Sequence, residues 1–354
     1  MKASFKKYTL NFRQASGTSR GVYTTRDSWF LFLSDGTGTG IGECAPLPEL
    51  SVESLYKMNS KLLQVCEEID YFCALPEELH AWPSILFGLE TALLDLKNNG
   101  QQLLYPSAFT RGEQGIPING LIWMGTPEFM KQQIQSKLES GFTCIKMKIG
   151  ALDFNTEFEL LKAIRSEFSS GEITLRVDAN GAYTYQTALE NLKRLSELQI
   201  HSIEQPIEAG QPNEMAELCL KSPVPIGLDE ELIGISSHIE MQKLLETIHP
   251  AYLILKPSLH GGFTTCEKWI EQAGKYASGW WITSALESNI GLNAIAQWTS
   301  QLNYNGEQGL GTGQLYTNNL DSPLEILGDQ LWHRPQRPWN LKPLTELQEV
   351  DDFL

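Results

Sequence analysis

The sequence predicts an α/β protein, a closed barrel of parallel strands preceded by a smaller α+β unit, and three observations carry that prediction. In the second half, short apolar runs that each end in a charged residue recur about one strand plus one helix apart. They are Cys144-Ile-Lys-Met-Lys148, Leu175-Arg-Val-Asp178, Ile203-Glu204, Ile226-Gly-Leu-Asp229 and Leu253-Ile-Leu-Lys256. The segments between these runs are helix-rich in composition. The length of 354 residues also exceeds the roughly 250 to 300 at which a single core stops growing, so a second unit is expected.

Taken in order, Tyr8, Leu10 and Phe12 alternate as in a half-buried strand, and residues 29–33 supply a second. Gly36-Thr-Gly-Thr-Gly40 turns into Ile41-Gly-Glu-Cys44, which completes an antiparallel meander. Helices are expected over 52–68, 77–80 and 84–98. The last lies between Pro83 and Gly100 and carries Leu86, Leu89, Leu93 and Leu94 on its core face. From Ile116 the rhythm becomes strand and helix in alternation. Strands are expected over 116–122, 143–148, 173–178, 200–204, 224–229, 252–256, 280–284 and, briefly, 309–313, with helices over 154–167, 185–197 and 239–247. Eight strands at this interval favour a closed barrel over an open doubly wound sheet, and no GxGxxG follows an early strand. The tail after Leu331, with Trp332, Pro335, Pro338 and Trp339, fits neither repeat and is expected to run back over the first unit.

A net charge of −16 repels phosphate backbones and anionic lipid heads, so neither nucleic acid nor membrane is expected as a partner. No apolar run approaches the ~18 residues of a membrane span, and Met1-Lys-Ala-Ser-Phe-Lys-Lys7 lacks the apolar core of a secretory signal. A cytoplasmic location is expected. The six cysteines include no CxxC pair and the six histidines no HExxH, which suits reduced core thiols and argues against a His/Cys metal site.

Asp178, Glu204 and Asp229 place hard oxygen ligands at the ends of three successive strands. Any one acid alone reads equally well as the N-cap of the following helix. Three carboxylates converging on one mouth repel unless a cation lies among them, and oxygen-only ligation favours Mg²⁺ over zinc. Lys146 and Lys148 are two apart, so on a strand they share a face while Ile145 and Met147 take the other. A lysine base must be brought down from a reference pKa of about 10.4. A neighbouring ammonium, a nearby dication and burial all act in that direction, so Lys146 would help to make Lys148 a base. Lys256 lies across the barrel, where it could serve as acid, as opposite-face base or as electrostatic partner.

These residues carry a resemblance to the enolase superfamily, muconate-lactonising subgroup. Lys146-x-Lys148, Asp178-x-Asn180, Ile203-Glu-Gln-Pro206, Leu228-Asp-Glu230 and Leu255-Lys-Pro257 occur in that family's order. The resemblance implies a modified TIM barrel, (β/α)7β, over 113–330 and an α+β capping domain over 1–112, with the tail 331–354 packing back on it. It implies Asp178, Glu204 and Asp229 as the Mg²⁺ ligands, with Mn²⁺ an acceptable substitute. Lys148 and Lys256 match the acid/base pair, and Lys146 and Asn180 supporting positions. Glu230 is expected to point away from the face of Asp229. The partner implied is a small-molecule carboxylate.

Within the subgroup, Asn119-Gly-Leu-Ile122 and Ile282-Thr-Ser-Ala-Leu-Glu-Ser-Asn-Ile-Gly291 resemble the branch that dehydrates a hydroxycyclohexadiene carboxylate to an aromatic product. Proton abstraction α to the carboxylate gives an enediolate stabilised by Mg²⁺, and hydroxide then leaves. The alternative is a dipeptide epimerase or N-acylamino acid racemase with Lys148 and Lys256 as bases on opposite faces. The peptide-binding Asp-x-Asp of dipeptide epimerases is missing from Gly309-Leu-Gly-Thr-Gly-Gln-Leu-Tyr316. A catalytically silent barrel is the third reading. Ser16-Gly-Thr-Ser-Arg-Gly21 and Pro46-Leu-Pro-Glu-Leu-Ser51 read as mobile specificity loops. Ser284 is a candidate substrate contact, and Arg176 a candidate partner behind Asp178.

Overall fold

The computed structural model describes residues 1–18, 21–302 and 304–347. Strands β1 (Lys2–Thr18), β2 (Gly21–Ser34) and β3 (Thr39–Cys44) form an antiparallel sheet in that order. The β2–β3 turn is held by Asp35, whose Oδ1 accepts from the Thr37 amide at 2.8 Å and the Thr37 hydroxyl at 2.7 Å. The stretch read as a mobile loop at 16–21 is instead mostly strand. Ser16 pairs with Tyr23 and Thr18 with Gly21, while Ser19 and Arg20 lie outside the described residues.

The helix expected over 52–68 begins only at α1 (Met58–Glu67), after a 3₁₀ turn, and α2 (Ile69–Ala74) follows it unanticipated. Helix α3 (Pro83–Lys97) lays Ile85, Leu86, Leu89 and Ala92 against Phe5, Trp29, Leu31 and Leu33 of the sheet. Its approach to β3 is close because both sides carry glycine. A Cβ on Gly42 would lie 1.9 Å from the Gly88 carbonyl oxygen, and one on Gly88 2.3 Å from Cys44 Sγ. The first contact is with backbone and cannot relax by a side-chain rotation. Gly42→Ala is therefore expected to destabilise the fold by at least about 3 kcal/mol, as overpacking at backbone contact does. Thermal melting of the purified variant checks this.

From here strands and helices alternate: β4 (Ile116–Pro117), β5 (Gly120–Ile122), α4 (Pro127–Glu139), β6 (Cys144–Lys148), α5 (Phe154–Glu167), β7 (Thr174–Asp178), α6 (Tyr185–Glu197) and β8 (Ser202–Glu204). They continue with α7 (Pro212–Lys221), β9 (Ile226–Leu228), α8 (His238–Ile248), β10 (Tyr252–Leu255), α9 (Pro257–His260), α10 (Gly262–Lys275), β11 (Gly279–Ile282) and α11 (Asn289–Thr299). Several helices start at a residue whose side-chain oxygen accepts an amide of the first turn: Thr126, Asp153, Thr184, Ser237 and Ser288. Strands β5 to β11 form one parallel sheet in sequence order. Ile145, Met147, Val177, Ile203 and Leu253 lie in one continuous core with the helices outside.

Two expected strands come out differently. The eighth, expected over 309–313, shrinks to single parallel bridges of Gln308 with Ile118 and of Gly309 with Thr283, which close the curl between β5 and β11. Gly309 is needed there, because a Cβ would stand 2.1 Å from Thr283 Oγ1. The first, expected over 116–122, is split. Ile116–Pro117 leaves the barrel and pairs with β13 (Gln330–His333), which pairs in turn with β12 (Leu324–Leu327). The tail thus begins as a strand, contrary to expectation. Beyond it, Leu344 of α12 (Lys342–Thr345) joins Phe30 and Ile41 of the first sheet in one apolar cluster, with Trp339 and Leu341 packed against it. No helix among the described residues is long and apolar enough to cross a membrane.

Candidate active site

The parallel register sets the charges in one tier. Lys148 lies opposite Asp178 on β7, and Asp178 opposite Glu204 on β8, so all three project from carboxyl ends into the same mouth. Asp229 follows β9, and Lys256 follows β10 as the residue just before α9. The mouth opens into a cleft between the barrel and the first unit. Its floor is polar, with Lys146, Lys148, Asp178 and Lys256, and its upper wall is apolar, with Tyr23, Leu47, Leu50 and Leu286. Leu47 and Leu50 come from the 46–51 segment.

The lysines and acids are interlocked. Lys146 Nζ lies 2.5 Å from Glu204 Oε2 and 3.1 Å from Asp178 Oδ2, and Lys148 Nζ lies 3.0 Å from Asp178 Oδ2. Lys148 also donates to Asn180 Oδ1 at 2.7 Å, with its ammonium 5.8 Å from the centre of the Trp123 ring. Lys256 donates to Asp229 Oδ2. Burial alone works against the charged forms of Lys146, Asp178, Glu204, Asp229 and Lys256. Asp178 is nevertheless held well below the usual carboxylate range, because Lys146 and Lys148 both face it. Lys146 serves two acids, and Glu204 is left undercompensated. Burial and the neighbouring Asp178 carboxylate push Glu204 well above its ordinary value. Burial of Asp229 is outweighed by Lys256, which lowers it, and burial of Lys256 by Asp229 and Glu230, which raise it.

The acids fit a hard divalent cation by their chemistry. Glu204 Oε1 and Asp229 Oδ1 are buried without a hydrogen-bond partner, a condition that costs about 1 to 3 kcal/mol per acceptor, and more for charged groups. An oxygen-seeking dication placed among the acids would relieve both atoms and the excess negative charge together. Among the described residues no three acidic, histidine or cysteine side chains converge as a closed cage. Instead the Lys146 ammonium stands between Asp178 and Glu204, and Lys256 is paired with Asp229.

The remaining candidates divide. Ser284 lines the cleft and shares a 2.6 Å hydrogen bond with Thr312 Oγ1. Arg176 is a correction. It does not contact Asp178 but donates to the Glu307 carbonyl at 2.9 Å and covers the Trp281 ring at 4.4 Å, below the charged tier. Glu230 is the second correction. Expected to face away, it lines the cleft and accepts from Asn180 Nδ2 at 3.0 Å. Strand alternation stops at Leu228, and a 3₁₀ turn over Glu230–Leu232 rotates Glu230 inward. Trp123 was not singled out from the sequence, although it directly follows the Asn119–Ile122 motif.

Behind Lys256, buried His260 accepts the Lys256 amide at Nδ1 (3.1 Å) and returns its own amide to the Lys256 carbonyl (3.0 Å). Burial, with Lys256 adding to it and Asp229 opposing, pushes His260 down to about 4. The folded protein refuses a proton that the unfolded chain accepts below about pH 6.5, so this group's contribution is complete above that pH. It is lost as pH falls towards 4, about 3 kcal/mol in all. Melting temperatures measured from pH 7 to pH 4 are expected to fall less steeply for His260→Asn than for the unaltered protein.

Comparison with known proteins identifies the family and the fold. Residues 129–331 match the family described as Enolase C-terminal domain-like, and residues 2–96 the family described as MenC, N-terminal domain. The chain is 46% identical to an o-succinylbenzoate synthase of Desulfotalea psychrophila, over 94% of this chain and 98% of that one. The crystal structure of MenC from Desulfotalea psychrophila superposes with a TM-score of 0.84 at 42% identity, covering 94% of this chain and 99% of that one. A dipeptide epimerase of Cytophaga hutchinsonii, solved with Mg and the dipeptide D-Ala-L-Val, shares the fold at 18% identity. Its TM-score is 0.83, over 98% of both chains.

Proposed function

Given that the chain belongs to the o-succinylbenzoate synthase family of the enolase superfamily, we propose how its cleft carries out that family's reaction. The reaction dehydrates 2-succinyl-6-hydroxy-2,4-cyclohexadiene-1-carboxylate to o-succinylbenzoate, a step of menaquinone biosynthesis. The observation that carries the assignment of roles is the position of Lys148, whose ammonium enters the cleft between Asp178, Asn180 and the Trp123 ring.

Lys148 Nζ takes the proton α to the substrate carboxylate, and the electron pair passes into the carboxylate to give an enediolate. The C–O bond to the ring hydroxyl then breaks as the ring becomes aromatic. The proton held on Lys148 goes to the departing hydroxide, which leaves as water. Lys256 lies on the far side, with three strands between β6 and β10, and as a cation it stabilises the anionic ring. Lys146 holds Asp178 and Glu204 in register, and Asn180 orients Lys148. Ser284 is assigned to the substrate, and specificity to the capping unit of residues 1–112. Asp178, Glu204 and Asp229 are assigned to Mg²⁺, with Mn²⁺ expected to substitute. When bound, such a cation supplies charge that offsets the second negative charge on the substrate carboxylate.

The two facing lysines would also suit an epimerase. The wall formed by Gly309, Gly311 and Thr312 offers no acid for a peptide amine, which favours the dehydration. A parallel assay with the cyclohexadiene carboxylate, N-succinyl amino acids and dipeptides tests this. Loss of diene absorbance is expected to dominate. Epimerisation of a dipeptide at a higher kcat/KM than diene loss would overturn the assignment.

A further inference from the structure

One segment of the cleft wall, residues 285–288, is held from both the first unit and the barrel. Leu286 faces the cleft with φ of +65°, a left-handed conformation that a branched side chain keeps only when its surroundings over-determine it. Four buried side chains do so. Arg26 of β2 donates from one guanidinium nitrogen to the Ala285 carbonyl and from the other to the Ala45 carbonyl (2.5 Å). Tyr316 donates its hydroxyl to the Leu286 carbonyl at 2.6 Å. Glu287 turns back to accept the Ala285 amide at 2.8 Å, and its other oxygen accepts the Ser258 hydroxyl, two residues beyond Lys256. Glu43 of β3 accepts the Ser288 amide at 2.9 Å and the Ser288 hydroxyl at 2.6 Å. Arg26 is 2% exposed, Tyr316 1%, and Glu43 and Glu287 0%.

The two carbonyls that Arg26 grips belong to the two pieces of chain that build the apolar wall. Ala285 is joined to Leu286, and Ala45 leads directly into Leu47 and Leu50. A guanidinium holds its donors in a fixed planar fork, so that two of its nitrogens can each take a carbonyl from a different element. We propose that Arg26, seconded by Tyr316, is a positioning residue for substrate specificity. It staples the 45–50 segment of the first unit to the 285–288 segment of the barrel, so that the apolar wall is preformed before the organic part of the substrate arrives. This rests on the reaction proposed above for the function it serves, although the staple itself does not.

The variants are Arg26→Met, which loses both carbonyls, and Tyr316→Phe, which loses the hydroxyl on the Leu286 carbonyl and keeps the shape. Two readouts separate the ideas. Amide hydrogen exchange is expected to speed up in peptides covering 45–51 and 284–291 in Arg26→Met and in 284–291 in Tyr316→Phe, with β6 and β7 unchanged. Assayed with Mg²⁺ and the diene, the variants are expected to raise KM about tenfold while kcat changes little, since a wall that must be ordered on binding charges its cost to affinity. Unchanged exchange of both peptides in folded Arg26→Met, or of 284–291 in folded Tyr316→Phe, would overturn the staple. A lower melting temperature with unaltered KM would reduce Arg26 to a packing role. No turnover by the unaltered protein would count against the reaction alone, and the exchange result would still decide the staple.

Discussion

Lys148→Ala is expected to lose at least about 10³-fold in kcat with the metal still bound and the fold intact. A positioned general base contributes typically 10² to 10⁴-fold, and in the proposed reaction the same nitrogen serves twice, first taking the α-proton and then giving it to the leaving hydroxide. The fold should survive because Lys148 sits at the end of β6, with its ammonium in the cleft, while the apolar side of that strand, Ile145 and Met147, does the packing. Circular dichroism and melting of the variant beside the unaltered protein check that the loss is chemical. Lys148→Arg should rescue little, because a guanidinium does not give up a proton near neutral pH.

Glu204→Gln is expected to cost a comparable factor, about 10³-fold, by a different route. The substitution keeps the shape of the side chain and removes a charge that burial and Asp178 already disfavour, so folding should be little affected. What it removes is one of three oxygen donors whose joint charge favours a divalent cation. A Lewis acid's several kcal/mol of charge stabilisation correspond to that loss in rate. Magnesium titration followed by calorimetry is expected to show weakened binding in Glu204→Gln. Chelation by EDTA should silence the unaltered protein, with activity returning on addition of Mg²⁺ or Mn²⁺.

The charged tier was legible in the sequence because period-two alternation on a buried parallel strand has only one reading. Lys146 and Lys148 share a face, and Ile145 and Met147 must pack outward. The acids were legible because each closes an apolar run, at strand ends that the parallel register then aligns. Glu230 was misread because alternation was extended one residue beyond β9, where the chain had already turned into a 3₁₀ helix. Ile116–Pro117 and the 309–313 segment were misassigned for a related reason. A two-residue strand and a two-residue bridge leave no periodicity to read, and their place is set by partners far along the chain, β13 for one and Ile118 with Thr283 for the other. Arg26, Glu43 and Tyr316 carried no local signal at all. Their roles exist only once the first sheet lies against the 285–288 segment, a contact between residues more than 200 positions apart for Arg26 and Glu43.

The most direct measurement of the central claim, that Lys148 is the base acting beside a metal-binding acid triad, is the initial rate of diene absorbance loss. The unaltered protein and Lys148→Ala are assayed in parallel, each with Mg²⁺ and each after EDTA. The expected result is rapid loss only for the unaltered protein with Mg²⁺. Turnover of Lys148→Ala at the unaltered rate, or full activity of the unaltered protein after EDTA, would contradict it.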